Sequence, residues 1–156
     1  MNVANELYPW TSSHLLRGCP KTARIKEVVE LGWLRHMIDK KQDPTTNPAE
    51  LDPRFWQSMW CDLSQNPRRR ASSQGTRRCS TTSSFWYSYT EDRVLVDIEY
   101  FTSLGFDDTV DITGCSMQEI QSLTGDAFAL PSVGSILLAA AVSVDMGIFE
   151  NAIVSE

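Results

Sequence analysis

The apolar positions of residues 22–41, TARIKEVVELGWLRHMIDKK, recur with the three- and four-residue spacing of an α-helix. They form two rows, which are Ile25, Val29, Trp33 and Met37 in the first and Leu31, Leu34 and Ile38 in the second. We therefore predict a helix that is covered on more than one side. The segment DPTTNP ends this helix, because proline lacks an amide donor and biases the preceding residue towards extended geometry.

Shorter elements are expected in the middle of the chain. The pair Asn47–Pro48 favours a short helix over residues 49–60, because proline suits the first position of a helix. The polar residues 64–84 predict a loop by their composition. The aromatic segment SFWYSY, residues 84–89, predicts a strand.

Polar caps mark two more helices in the second half of the chain. Asp97 can cap a helix that runs to Leu104, where Gly105 supplies a C-terminal stop. A serine cap precedes a second short helix over residues 116–123. These elements predict an α+β fold in which helices dominate, and the sequence contains no internal repeat.

A last helix is predicted over residues 132–149, and it is apolar on every side. Such a helix needs cover, either from residues 22–41 or from another chain, and we favour another chain. The uncharged residues 127–144 have the length of a membrane span, but they include Pro131, Gly134 and three serines. We therefore expect no membrane insertion.

The charges are divided unevenly along the chain. Residues 1–80 carry 13 Lys and Arg against 8 Asp and Glu, a net charge of +5. Residues 81–156 carry one base, Arg93, against 12 acids, a net charge of −11, which gives the whole chain −6. An acidic chain is not typical of a partner of polyanions, but this division leaves the first half open to one.

The positive charge is concentrated in residues 64–84, SQNPRRRASSQGTRRCSTTSS, which contain no acidic residue. The five arginines are Arg68, Arg69, Arg70, Arg77 and Arg78. From composition alone, this arginine stretch is either a solvated loop or a surface that contacts nucleic acid. Guanidinium groups bind phosphates and can bind guanine edges with two hydrogen bonds.

The cysteines and histidines do not form a metal site or a catalytic set. Cys19, Cys61, Cys79 and Cys115 contain no CxxC spacing, and only His14 and His36 accompany them. Reduced thiols and an N-terminus without the regions of a signal peptide predict an intracellular protein.

Three segments of the chain resemble the C-terminal end of DNA (cytosine-5-)methyltransferases. RVLVDIEYFTSLGFDD is similar to that family's RxLTxxExxRLQGFP segment, and the matching positions are Arg93, Leu95, Glu99, Gly105 and Phe106. GDAFALP resembles the last motif, GNAVPP or GxSWSVP, through Gly125, Phe128 and Pro131. CSTTSSFWYSYTEDR resembles the PTxTxxS stretch that precedes the first segment. Together the likeness covers about residues 60–145.

The sequence departs from the family in two ways. Val96, Leu104, Asp107 and Asp126 replace the usual Thr, Gln, Pro and Asn, and the carboxylate of Asp126 would face a cofactor that has its own carboxylate. The chain also lacks the Pro-Cys nucleophile, the glycine-rich cofactor turn and the Glu-Asn-Val motif that the family's chemistry requires. The resemblance therefore implies the C-terminal part of a methyltransferase fold, an incomplete domain that is inactive alone.

The resemblance divides the chain and assigns its residues. Residues 1–92 would be the end of the target-recognition region, with its basic loop at residues 64–84. Residues 93–156 would hold the C-terminal motifs and a helix that returns to an absent catalytic domain. No residue is expected to be catalytic or to bind a metal. The expected DNA-binding residues are the five arginines, and the residues expected to close the S-adenosylmethionine pocket, with the missing catalytic part, are Gly125, Asp126, Ala127 and Phe128.

The implied partners are duplex DNA and a complementary catalytic chain, or a second copy of this chain, bound through residues 132–149. The implied compartment is the nucleus in a eukaryote and the cytoplasm otherwise. Two alternatives are a non-catalytic nucleic-acid-binding module and a helical protein-interaction subunit. We expect Arg93 and Glu99 to form a structural ion pair. Three tryptophans are expected to belong to the core rather than to stack on bases: Trp33, Trp56 and Trp60.

Overall fold

A computed structural model of the protein describes residues 8–69 and 71–153, with side chains up to residue 143. Its α-helices are α1 (Pro9–Ser13), α2 (Ala23–Asp39), α3 (Asp97–Thr102), α4 (Met117–Asp126) and α5 (Leu130–Ile153). Its strands are β1 (Met59–Asp62), β2 (Ser72–Gln74), β3 (Trp86–Ser88) and β4 (Arg93–Val94). The predicted α+β class is confirmed.

The four strands form one antiparallel sheet in the order β2-β1-β3-β4. Cys61 lies opposite Ser72 on one side and Tyr87 on the other, and Tyr87 lies opposite Val94. Because side chains alternate along a strand, Cys61 and Tyr87 share one face of the sheet, while Trp60 belongs to the other face. The sheet can therefore support a separate core on each face.

The first core packs α1 and α2 against the Cys61 face. Trp10 and Trp33 are fully buried there, with ring centroids 4.7 Å apart. The hydroxyl of Tyr89 donates a 2.6 Å hydrogen bond to the carbonyl of Val29, and it occupies the space that a side chain at Gly32 would need. This close approach fixes α2 against the sheet.

The second core packs α3 and α4 against the opposite face. Its fully or almost fully buried members include Trp86, Tyr100 and Ile120. The backbone amide of Trp86 donates a 3.2 Å hydrogen bond to the Tyr100 hydroxyl, which ties α3 to β3. The sheet is thus covered by helices on both faces, and the predicted boundary after residue 92 falls between two paired strands.

Several predicted elements are confirmed, although Asp97 is the first residue of α3 and not its cap, which is Val96. The Thr22 hydroxyl accepts the amide of Ile25 and caps α2, which was expected over residues 22–41. Ser116 caps α4 through a reciprocal pair of bonds with Glu119. Gly105 follows α3 with a positive φ of 88°, a conformation that glycine adopts without strain.

The helix predicted over residues 49–60 is wrong. Two short 3₁₀ turns, Pro48–Glu50 and Pro53–Trp56, occupy its first part, and β1 begins at Met59. Each turn starts at a proline, which lacks the amide that a continuous helix would use. Burial of Met59 and Cys61 in the first core then favours an extended segment with alternating sides.

The loop predicted over residues 64–84 is wrong in part, because Ser72–Gln74 forms β2 and pairs with β1. A Ser-Ser-Gln sequence has no strand signal of its own, so the pairing depends on the neighbouring strand. α5 was expected over residues 132–149, and it is longer, from Leu130 to Ile153. Its described side chains remain largely exposed, so α2 does not cover it.

Candidate nucleic-acid interface

Two arginines of α2 hold the segment that joins β1 to β2, residues 63–71. Arg24 donates hydrogen bonds of 2.9–3.2 Å to three carbonyl oxygens, those of Leu63, Ser64 and Gln65. Arg35 donates at 2.7 and 3.0 Å to the carbonyls of Arg69 and Pro67. Positions 24 and 35 lie about three helical turns apart, so both side chains leave α2 on the same side. The β1–β2 segment is therefore anchored along its length.

The buried carboxylate of Asp62 holds together the two ends of the arginine stretch. Asp62 is 4% exposed and accepts the amide of Ser64 at 3.0 Å and the hydroxyl of Ser84 at 3.0 Å. It also accepts the amide of Phe85 at 3.1 Å. Because Ser64 and Ser84 are the two ends of the stretch, one side chain fixes where the stretch leaves the sheet and where it returns.

The predicted DNA-binding arginines have different environments. Arg68 and Arg69 are exposed, and their guanidinium groups make no hydrogen bond or ion pair with the residues that the structure describes. Arg70 lies outside the described residues. Arg68 and Arg69 therefore combine a fixed backbone with positive charges that are open to solvent.

Arg78 lines a cavity of about 370 Å³ between the end of α2 and β2. The same cavity is lined by His36, Asp39, Lys40 and the strand residues Ser72–Gln74. Burial lowers the pKa of His36, whose Nε2 lies 2.8 Å from the carbonyl oxygen of Phe55. Burial thus disfavours the charged form of His36, and the charged groups that line this cavity are Lys40 and Arg78 together with the carboxylate of Asp39.

Arg77 lies on the opposite side of the sheet from that cavity. Its guanidinium carbon is 5.9 Å from the ring centroid of Trp60 and 5.5 Å from that of Trp86. Both distances are within the range of cation–π attraction. Burial lowers the pKa of Arg77, although arginine still carries its charge at pH 7.

The predicted ion pair of Arg93 and Glu99 is confirmed. The two guanidinium nitrogens donate to the two carboxylate oxygens at 2.7 Å each. The Glu99 carboxylate also accepts the amide of Val96 at 2.7 Å, which caps α3. The hydrogen bonds from Arg93 lower the pKa of Glu99. The pair connects β4 to the first turn of α3, so its role is structural.

The residues predicted to close a cofactor pocket lie where α4 ends. Gly125 is in the last turn of α4, and its Cα faces the backbone of Thr81 and Thr82 so closely that a side chain would not fit. The packing against Thr81 and Thr82 thus accounts for the glycine. Phe128 is 79% exposed, so its ring is open to a contact outside the described chain.

The three segments that carry the family resemblance meet in space. Gly125 of GDAFALP packs on Thr81 and Thr82 of CSTTSSFWYSYTEDR. The amide of Leu130 donates a 2.8 Å hydrogen bond to the carbonyl of Leu104, in the middle segment. A side chain at Gly105 would contact the ring of Pro131 at 2.8 Å. Both glycines of these segments therefore permit close approach of another segment.

Helix α5 presents an uncovered apolar surface. Ile136, Leu137 and Leu138 are 69%, 63% and 66% exposed. The segment Met117–Ser143 contains a stretch with a mean hydropathy of 1.6, none of it buried, and by length and composition alone it could cross a membrane. The expectation that this chain avoids membranes stays a prediction.

The described residues contain no cluster of three or more His, Cys, Asp or Glu that could hold a metal ion. Cys19 and Cys61 are buried free thiols, and burial raises the pKa of each to about 12. These two thiols are therefore protonated and unreactive at neutral pH. No family model, curated protein or solved structure matches this chain.

Sequence reasoning missed the residues that support the site. Arg24 and Arg35 were not singled out, although their spacing of eleven residues places them on one side of a helix. Asp62 was also missed, although an acidic residue inside the apolar segment MWCDL is a signal for a buried hydrogen-bond acceptor. Nothing in the sequence indicated that Arg77 would lie over the rings of two tryptophans.

Proposed function

We propose that this chain is the C-terminal portion of a DNA cytosine-5 methyltransferase, which contributes DNA contact and cofactor-pocket closure to a catalytic part carried elsewhere. The observation that carries the proposal is the meeting of the three resembling segments around Gly105 and Gly125. The segment GDAFALP contacts the two preceding segments at Gly105, Gly125 and Pro131, which are positions that match the family. A chance likeness in three segments of the chain does not require this arrangement.

The DNA contact is assigned to the arginine stretch. Arg68 and Arg69 project from a segment whose carbonyls are held by α2, so little backbone freedom is lost when they bind phosphates. Guanidinium groups without a protein acceptor are available to phosphate oxygens, and each contact releases counterions from the duplex. The acidic second half of the chain would face away from the DNA.

The cofactor contact is assigned to fewer residues than the four that the resemblance implied. Gly125 is used in packing, and the carboxylate of Asp126 disfavours the carboxylate of S-adenosylmethionine. Among the four predicted residues, the exposed ring of Phe128 is the group that fits such a contact, with Ala127 beside it. The cofactor supplies the methyl group, and this chain would only help to enclose it once a catalytic chain is bound.

The partner assigned to α5 is the complementary catalytic chain. α5 is apolar on every side and its described side chains are largely exposed, whereas stable monomers rarely leave a large apolar patch uncovered. A large domain that packs on this helix would bury it. Self-association through the same helix is the competing arrangement, and both place α5 at an interface between chains.

The DNA contact is tested by salt-dependent binding to a duplex. Replacing Arg68 and Arg69 with Ala should lower the affinity for every duplex sequence. The slope of log affinity against log salt should also fall by roughly 0.9 for each phosphate that the variant no longer binds. The matched control replaces Lys21 and Lys41 with Ala, which removes two exposed charges outside the stretch. Equal slopes for wild type and the Arg68/Arg69 variant would show that these arginines do not touch phosphate.

A further inference from the structure

A cavity of about 340 Å³ opens on the sheet face that is covered by α3 and α4. Its lining residues are Trp60, Arg77, Leu95, Glu99, Thr102 and Ser103. The volume is at the lower end of the range for ligand pockets, about 300–1,000 Å³. The duplex contact proposed for Arg68 and Arg69 does not use this cavity.

Arg77 is the unusual member of the lining. Its guanidinium lies over the rings of both Trp60 and Trp86, and it donates no hydrogen bond to any residue that the structure describes. A guanidinium has five N–H donors in a fixed plane. Arg77 is therefore a half-buried cation that lies against two indole rings, and its N–H donors, which have no acceptor in the described chain, are available to an anionic ligand.

The remaining charges of the cavity favour an anion over a cation. Glu99 is neutralised by its bidentate pair with Arg93, whose two nitrogens occupy both carboxylate oxygens. Thr102 and Ser103 contribute uncharged hydroxyls. Glu99 also attracts the guanidinium of Arg77, so one carboxylate lies near two guanidinium groups, and the three charges together leave a net charge of +1.

The rest of the lining is apolar and partly aromatic. Trp60 is half-buried, so part of its indole faces the cavity beside the side chain of Leu95. Indole rings stack on nucleobases of any sequence. The cavity is too small for a base pair within a duplex, where the faces of the bases are also covered by their neighbours. An unpaired nucleotide presents both a phosphate and an open base face.

We infer that the cavity lined by Trp60, Arg77 and Leu95 binds one nucleotide of single-stranded nucleic acid, with its phosphate on Arg77 and its base or sugar against Trp60. The inference rests on the proposed nucleic-acid contact and adds a second site with a different preference. The arginines of the β1–β2 segment bind the duplex backbone, and the cavity selects an unpaired strand.

The test compares the affinities of variants for a short oligothymidylate and for a duplex of the same length. Arg77→Gln should weaken oligothymidylate binding by about tenfold and duplex binding by less than about twofold. Arg54→Gln is the matched control, because it removes the same charge from an exposed arginine that is paired with Asp52. Equal effects of the two changes on oligothymidylate binding would overturn the inference.

A second pair of variants covers the case in which Arg77→Gln does not fold, as judged by circular dichroism. Trp60→Phe keeps an aromatic ring and should keep most of the oligothymidylate affinity, whereas Trp60→Leu should lose about tenfold. Thymidine monophosphate should displace the oligonucleotide at lower concentration than inorganic phosphate does. If the two Trp60 variants bind alike, or the two competitors displace alike, the cavity does not bind a nucleotide.

The same data separate this inference from the proposed function. Duplex binding that depends on Arg68 and Arg69, together with oligothymidylate binding that ignores Arg77, would support the proposed function and overturn the inference. The opposite result is oligothymidylate binding that depends on Arg77 together with duplex binding that does not depend on Arg68 and Arg69. That result would support the inference and overturn the duplex contact of the proposed function.

Discussion

Arg93 and Glu99 form a bidentate ion pair with two hydrogen bonds of 2.7 Å, and this pair joins the edge strand β4 to the first turn of α3. The Arg93 and Glu99 side chains are 31% and 33% exposed, so water screens part of their attraction. The pair also orients the carboxylate that caps α3 at Val96. The ion pair thus helps to fix the position of α3, which borders the cavity lined by Trp60, Arg77 and Leu95.

Replacing Glu99 with Gln should lower the free energy of unfolding by about 1 kcal/mol at pH 7, the upper end of the range for partly exposed pairs. The hydrogen bonds from Arg93 lower the pKa of Glu99 from its ordinary value of 4.5. The pair therefore stabilises the fold above that pH, and its contribution is lost as pH falls through the lowered pKa. Urea unfolding of the wild type and of the Glu99→Gln variant, at pH 7 and in acid, measures the difference in the free energy of unfolding. A difference that persists undiminished in strong acid would contradict the assignment.

Replacing Gly125 with Ala should destabilise the protein by about 2 kcal/mol or more, because the added methyl group would meet the backbone of Thr81 and Thr82. A backbone segment cannot move aside as a flexible side chain can. Gly134→Ala is the matched control, since a side chain there meets nothing within 4 Å and alanine favours a helix. Thermal unfolding of the two variants should give shifts of opposite sign. Equal shifts would mean that the 81–82 segment does not pack on α4.

Replacing Leu137 with Asp should leave the protein folded, because this side chain is 63% exposed on α5. The variant should be more soluble and more nearly monomeric than the wild type, since a charge opposes the burial of α5 between chains. Sedimentation velocity and circular dichroism measure both properties. Loss of the folded state would show that α5 is buried within its own chain. Partition of the wild type, but not the variant, into neutral lipid vesicles would assign the helix to a membrane.

The purified chain should transfer no methyl group from labelled S-adenosylmethionine to cytosine-containing DNA. The reason is chemical, because the sequence has no Pro-Cys nucleophile and no glycine-rich cofactor turn. Label in the DNA above that of a protein-free sample would contradict this prediction. The same proposal predicts that a neighbouring reading frame encodes both missing motifs.

The sequence by itself determined the helices and their limits where local signals were strong. Thr22 and Ser116 cap helices through side-chain hydrogen bonds with amides only three residues away, and Gly105 ends one through its own backbone freedom. Such interactions depend on neighbours in the chain, so a linear pattern contains them. The apolar character of α5 and the uneven distribution of charge along the chain can likewise be seen in the composition of the sequence.

The tertiary structure decided the sheet and the environment of each arginine. β2 is a strand because β1 lies beside it, and residues 49–60 are not a helix because Met59 and Cys61 are buried against α2. Arg68 and Arg77 belong to one polar stretch, yet one is open to solvent and the other lies half-buried over the rings of two tryptophans. Pairing and burial depend on residues far apart in the chain, and no local pattern encodes which distant partner a side chain meets.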